Sequence, residues 1–377
     1  MAKEKALPAG FTRRKDGRLQ LRFTVGDKRC CVCGHSVKEC KEKETKRRKE
    51  IEDGLELRNR PTVDQYIESW LDNRRLHLKE STYRGQRQIL GVITDIWIPT
   101  ASKKLGDMKL ADVSPDDAKL IQKELLVKRR TQTVNDYMAL LQHVFRDAVK
   151  ERKIPFCPTD TITTLKRTEE KARDNIHRAL SLEEQRTFFD CQRTQESSYY
   201  NVYRFAVCTG LRLGEIGALS YADIRNGVIT VRKTITRTET GAYRVGETTK
   251  TDAGRREIPI KQKIAEILDD QKEKNLAMYG NVIGMNDLIF KAPQGGLLMA
   301  TPADREIKRI CKTLGIEPFT MHAFRATFAT RAIESGMNPK TLQSLLGHSS
   351  FNITMSLYGH CLPNTKADEM EKMEFVC

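Results

Sequence analysis

Residues 164–177, TLKRTEEKARDNIH, interrupt the chain with a polar, charged stretch that lacks apolar periodicity. A packed core cannot run through such a stretch, because its charges and backbone groups would be buried without partners. The 377-residue chain must therefore bury apolar surface separately on either side. Its length permits this, since one domain commonly takes about 100–200 residues.

Upstream, two kinds of periodicity succeed one another. Residues 11–37 alternate basic and apolar positions, with Asp16-Gly17 and Gly26-Asp27 as breaks. This predicts a three-stranded antiparallel sheet. The run KECKEKETKRRKEIEDG has helical composition and no breaker before Gly54, so sheet and helix would make a small domain over residues 1–55. From Thr62 the period becomes helical: TVDQYIESWLDNRR sets Val63, Tyr66, Ile67 and Trp70 on one face. SPDDAKLIQKELL opens with a capping box, Ser114 with Asp117, and TVNDYMALLQHVFRDAVKERKI is a long amphipathic helix. Four helices are expected over residues 62–165.

Downstream, ALSLEEQRTFFD starts a helix with Ser181 and Glu184 as its capping box and opens a domain over residues 178–377. GVITVRKTITRTE and GETTKTDAGRREIPI are β-branched segments joined by a glycine-containing turn, which predicts a strand pair in a helical setting.

Charge points to the class of partner. Lys and Arg outnumber Asp and Glu by 66 to 50, and residues 1–60 alone hold 18 against 10. Half the surplus thus sits in the first sixth of the chain and favours a polyanion. No apolar run approaches the roughly 20 residues that span a bilayer, and MAKEKALPAG lacks a signal-peptide core, so a cytoplasmic protein is expected. The ten cysteines are scattered and read as reduced thiols. Cys31, Cys33, His35 and Cys40 lie close enough to suggest zinc, but zinc ligands come as C-x₂₋₄-C pairs, whereas Cys31 and Cys33 alternate along a strand. The better reading of that basic sheet is a DNA-groove reader, with no metal or other cofactor. GAYRVGET has glycines at P-loop spacing, yet Glu247-Thr248 stands where Lys-Ser/Thr would hold phosphate.

Four segments supply cationic or proton-transferring groups: TGLRLGEI, TTKTDAGRREIPI, MHAFRATFATRAIESG and LLGHSSFNITMSLYGH. Singly, each has an ordinary explanation. Arg212 can pair with Glu215, Lys250 can protect a strand edge, His322 and Arg325 can share a solvated helix face. His348 can be a turn residue beyond a helix opened by Asn338-Pro339 and closed by Gly347. Together, in the order Arg212, Lys250, His322-x-x-Arg325, His348 and Tyr358, they strongly resemble the tyrosine recombinases, the lambda-integrase-like family. The likeness spans roughly residues 178–360 and is carried by TGLRLGEIGALSYADI, TTKTDAGRREIPI and LLGHSSFNITMSLYGH. Residues 62–165 are similar to the family's core-binding domain. Residues 1–55, through RRKDGRLQLRF and GHSVKECKEK, are similar to the arm-binding domain of conjugative-transposon integrases.

The resemblance implies a multidomain, mainly α fold: a small sheet-plus-helix domain, a helical core-binding domain and a mixed, mostly helical catalytic domain. It implies an enzyme that cuts and rejoins double-stranded DNA at core and arm sites through a 3′-phosphotyrosine and a Holliday junction, as a tetramer. An excision factor or a host DNA-bending protein would assist, and the setting would be the bacterial nucleoid. Arg212 and Arg325 would grip the scissile phosphate, His348 would donate to it, Lys250 would protonate the leaving oxygen, and His322 would take the Tyr358 proton. His360 is left as a helix-end contact, and the tail after it would pack on a neighbouring protomer. The same chemistry serves DNA inversion and dimer resolution. A DNA-binding regulator without catalysis is the rival from another class, and the presence of all six residues argues against it.

Overall fold

The computed structural model describes residues 7–52, 60–166, 178–246, 254–280 and 283–361, in two compact units, Met1–Ala172 and Arg173–Cys377. In the first, strands β1 (Phe11–Arg13), β2 (Leu19–Val25) and β3 (Lys28–Gly34) form the expected antiparallel sheet in the order β1-β2-β3. Gly17 (φ +79°) and Gly26 (φ +56°) take the left-handed turn positions that the Asp-Gly and Gly-Asp breaks anticipate. Alternation puts Phe11, Leu19, Leu21 and Phe23 on one face, packed with Cys40 of helix α1 (Val37–Glu52). Register pairs Cys31 with Arg22 and Cys33 with Gln20, so both thiols face away from Cys40. Strand alternation thus separates the cysteines that sequence proximity had grouped, and no cluster of three His, Cys, Asp or Glu suited to a metal occurs among the described residues.

Four helices follow: α2 (Val63–Arg75), α3 (Glu80–Thr94), α4 (Pro115–Lys128) and α5 (Thr131–Lys150). A two-residue hairpin, β4 (Trp97–Ile98) with β5 (Lys103–Lys104), lies between α3 and α4 in the chain. Helix α2 buries Val63, Tyr66, Ile67 and Trp70 with Leu71, the face its spacing predicts. The Ser114 capping box forms: Asp117 N donates to Ser114 Oγ (3.2 Å), and Ser114 N donates to Asp117 Oδ2 (2.9 Å). The core is apolar, with Leu90, Ile93, Leu141, Val144 and Phe145 fully buried. Trp70 Nε1 donates to Asp147 Oδ2 at 2.9 Å, which satisfies its one polar atom.

In the second unit, Ser181 and Glu184 cap α6 (Leu182–Asp190) as expected. The short α7 (Gln192–Gln195) leads to α8 (Tyr200–Thr209) and α9 (Leu213–Ile216). The expected strand pair forms, Val228–Val231 on Arg256–Pro259, but within a larger set of strands. Strands β6 (Ile224–Arg225), β7 (Val228–Val231) and β10 (Arg256–Pro259) make one antiparallel sheet in the order β10-β7-β6, while β8 (Thr234–Arg237) pairs with β9 (Tyr243–Gly246) in another. GVITVRKTITR is thus two strands, interrupted at Arg232-Lys233, with different neighbours. Helices α10 (Gln262–Tyr279), α11 (Ala300–Leu314), α12 (Met321–Glu334), α13 (Pro339–Leu346) and α14 (Phe351–Cys361) complete the unit. Phe324 of α12 sits among Phe188, Phe319 and Tyr203, with ring centroids 5.5–5.7 Å away. That aromatic packing fixes the rotation of α12, and so the direction of its neighbour Arg325.

Candidate active site

Helix α8 ends at Gly210, whose φ is +65°. A Cβ there would lie 2.4 Å from Cδ1 of Phe328, so only glycine fits. Two residues on, Arg212 caps α9 while Glu215 occupies its third position. Arg212 N donates to Glu215 Oε2 (2.9 Å) and Arg212 Nη1 to Oε1 (3.0 Å). From β10, Arg256 donates to both oxygens of the same carboxylate, Nη2 to Oε2 at 2.8 Å and Nη1 to Oε1 at 3.2 Å, and through Nε to Leu345 O at 2.6 Å. Glu215 is 3% exposed. Burial pushes its pKa up, but the hydrogen bond and charge of Arg256, with Arg212 behind them, outweigh burial and hold it below the ordinary value.

Arg325 is also buried, and its guanidinium donates to Gly210 O (2.8 Å) and Leu346 O (2.6 Å), two helix-terminal carbonyls. Burial lowers its pKa from the ordinary 12.5 to about 9; Arg212 and Arg256 add to the fall and Glu215 opposes it. It stays charged at pH 7. His322, three positions earlier on α12 and exposed, lines with Arg212 and Arg325 a pocket of about 310 Å³.

Helix α13 begins at Asn338, whose side chain accepts from Lys340 N at 2.8 Å, and ends at Gly347 in the left-handed conformation. The reversal delivers His348, whose Nδ1 lies 3.0 Å from Oγ1 of Thr354 on α14. Burial, then the charges of Arg325, Arg212, Arg256 and His322, lower the His348 pKa from 6.5 to about 4, so the ring is neutral at pH 7. Position 358 lies on α14 one turn beyond Thr354. The side chains of Tyr358 and His360, and all of Lys250, fall outside the described residues.

Two guanidiniums therefore pair with one carboxylate, and a third, that of Arg325, lies within reach of its charge, beside a neutral imidazole. Like charges held this close repel, and an anion entering among them relieves that repulsion while accepting hydrogen bonds. A wider groove of about 1020 Å³ in the first unit is lined by Asp64, Asp95, Asp107 and Glu124 as well as bases, and offers no comparable site.

Residues 178–364 match the model of the phage integrase family. The chain is a tyrosine recombinase of that family. The ICEBs1 integrase of Bacillus subtilis is 26% identical to it over 352 residues, covering 89% of each chain. Among solved structures, the Tn1549 transposon integrase in complex with a circular intermediate DNA superposes on the recombinase with a TM-score of 0.68. It is 24% identical and covers 83% of this chain and 100% of its own. A lambda integrase tetramer bound to a Holliday junction gives 0.59, at 19% identity, with coverage of 94% and 96%. Among the described residues no helix of the recombinase is long and apolar enough to cross a membrane.

Of the six residues expected from the sequence, Arg212, His322, Arg325 and His348 come together. Sequence reasoning gave Glu215 only the part of a helix partner for Arg212 and passed over Arg256. A signal existed in REIPI: Arg256 is in step with the inward-facing Ile258, and a charged residue in an apolar phase marks a buried ion pair.

Proposed function

We propose that the recombinase integrates and excises a mobile element, such as a conjugative transposon, with Arg212, Lys250, His322, Arg325, His348 and Tyr358 acting on the scissile phosphodiester. Arg212 and Arg325 hold the non-bridging oxygens, and His348 donates a hydrogen bond to the same group. His322 takes the hydroxyl proton of Tyr358 as the tyrosine oxygen bonds to phosphorus. The bond to the 5′ oxygen breaks and Lys250 protonates that oxygen, leaving a 3′-phosphotyrosine. The same steps in reverse join a different strand. One phosphodiester replaces another, so no nucleotide hydrolysis is needed.

The observation that carries this reading is the gathering of Arg212, Arg325 and His348 with Glu215 as shared counter-charge. A tyrosine with a pKa near 10 needs about 4 kcal/mol to ionise at pH 7. Donors aimed at the charge that builds on phosphorus are worth about 10² to 10³ in rate each.

Residues 1–55 are assigned to arm-type DNA, 62–165 to the core site, and 178–377 to catalysis. Their basic surplus and the likeness to the ICEBs1 and Tn1549 integrases support the mobile-element reading. The lambda integrase tetramer on a Holliday junction supports four copies acting on two duplexes. An excision factor or host DNA-bending protein would assist, at the nucleoid.

The test is a denaturing gel of purified protein with nicked core-site DNA, the native chain against Tyr358→Phe. A slow-migrating covalent species that disappears in the variant is expected, and activity should persist in EDTA. A covalent band surviving in Tyr358→Phe overturns the assignment of the nucleophile.

A further inference from the structure

Thr354 is wholly buried, although its neighbours Phe351, Ile353 and Met355 on the same helix are exposed by 41%, 48% and 41%. A buried hydroxyl needs a partner. For Thr354 that partner is the ring of His348, Oγ1 lying 3.0 Å from Nδ1. Four positions further along α14 stands Tyr358, and residues four apart share a helix face. We propose that Thr354 is a positioning residue for strand cleavage: its hydroxyl donates to His348 Nδ1, holds the imidazole as the Nε2–H tautomer, and ties the phosphate-binding histidine to the helix that bears the nucleophile.

The inference rests on the reading that His348 donates to the scissile phosphate. A neutral imidazole carries one N–H, so it can donate to an anionic oxygen only when its other nitrogen accepts. Burial and the surrounding guanidiniums keep His348 neutral, so a second ring proton is not at hand. Thr354 is the group at Nδ1, and a hydroxyl can supply the proton that nitrogen needs. The reverse arrangement, Nδ1–H donating to Oγ1, would turn a lone pair at Nε2 toward the phosphate. The backbone of His348 is held independently: its N–H donates to Gln343 O (3.2 Å), and its carbonyl accepts from Gln343 Nε2 (3.1 Å). With the backbone fixed by Gln343, the threonine is left to orient the ring.

Single-turnover cleavage of nicked core-site DNA by the full chain tests this, using Thr354→Val, Thr354→Ser and His348→Ala. Nitrogen NMR of histidine-labelled protein on core-site duplex, in a Tyr358→Phe background, reads the tautomer. Thr354→Val keeps the side-chain volume, and its cleavage step should slow about tenfold, the effect of one hydrogen bond, with DNA affinity unchanged. The Nε2–H signature of His348 should be lost, and Thr354→Ser should restore both rate and spectrum. A wild-type rate in Thr354→Val, or an Nδ1–H tautomer in the otherwise native complex, overturns the inference. If Thr354→Val fails to fold, that spectrum decides alone. Wild-type cleavage by His348→Ala would instead overturn the phosphate contact itself, whatever the threonine variants do.

Discussion

The interiors of the four-helix segment and of the second unit are built on different terms. Between Val63 and Cys157 the core is aliphatic and aromatic, and Asp117, the one acid buried there among the described residues, is used in a helix cap. The second unit has an apolar core as well, but it also buries Glu215, Arg256 and Arg325. A buried ion pair rarely stabilises more than apolar packing of the same volume. Its presence in one region and not the other therefore marks where the chain gives up stability to hold positive charge ready for an anion.

The largest effect should come from breaking that cluster. Glu215→Gln leaves Arg212, Arg256 and Arg325 without their common counter-charge, and urea denaturation should show a loss of about 3–5 kcal/mol, as for other buried pairs deprived of one partner. A loss below 1 kcal/mol would mean that the three guanidiniums do not depend on it. In the helical segment, Leu141→Ala opens a cavity in a fully buried site and should cost about 2–5 kcal/mol. Its DNA cleavage per folded molecule should stay at the wild-type rate, in contrast to Glu215→Gln, where stability and cleavage should fall together.

A smaller effect is expected at Gly210, where alanine must adopt a left-handed backbone and meet the Phe328 ring. That should cost about 2 kcal/mol and, because Gly210 O holds Arg325, slow cleavage as well. A Gly210→Ala protein with native melting temperature and rate would show that the loop is not a rigid support. The last effect is on pH dependence. The His348 pKa is about 4 in the folded chain against an ordinary 6.5. Between those values the unfolded chain binds more protons, so this contribution to stability is full above pH 6.5 and is lost as pH falls toward 4. Melting curves of His348→Asn should show a shallower acid slope than wild type, and an unchanged slope would place the histidine outside the cationic cluster.

Local pattern made much of the fold legible. Hydrophobic period distinguished the sheet of residues 11–34 from the helices after Thr62, and the capping boxes at Ser114 and Ser181 located helix starts, because these signals depend on residues only a few positions apart. The pairing of β7 with β10 is the strand pair those two segments predict, but the division of GVITVRKTITR into two strands, with β8 turning back onto β9, was beyond such signals: β-branched composition identifies strands without showing where they break or which other neighbours they take.

The site divides along the same line. Sequence alone determined which cationic and proton-transferring groups are present and in what order, from Arg212 to Tyr358. Tertiary structure decided what surrounds them. Arg256 reaches Glu215 from 41 positions away, Arg325 is held by the carbonyls of Gly210 and Leu346, and Thr354 stands at the ring of His348. Charge state, tautomer and orientation arise from burial and from neighbours at these distances, and both exist only once the helices have packed.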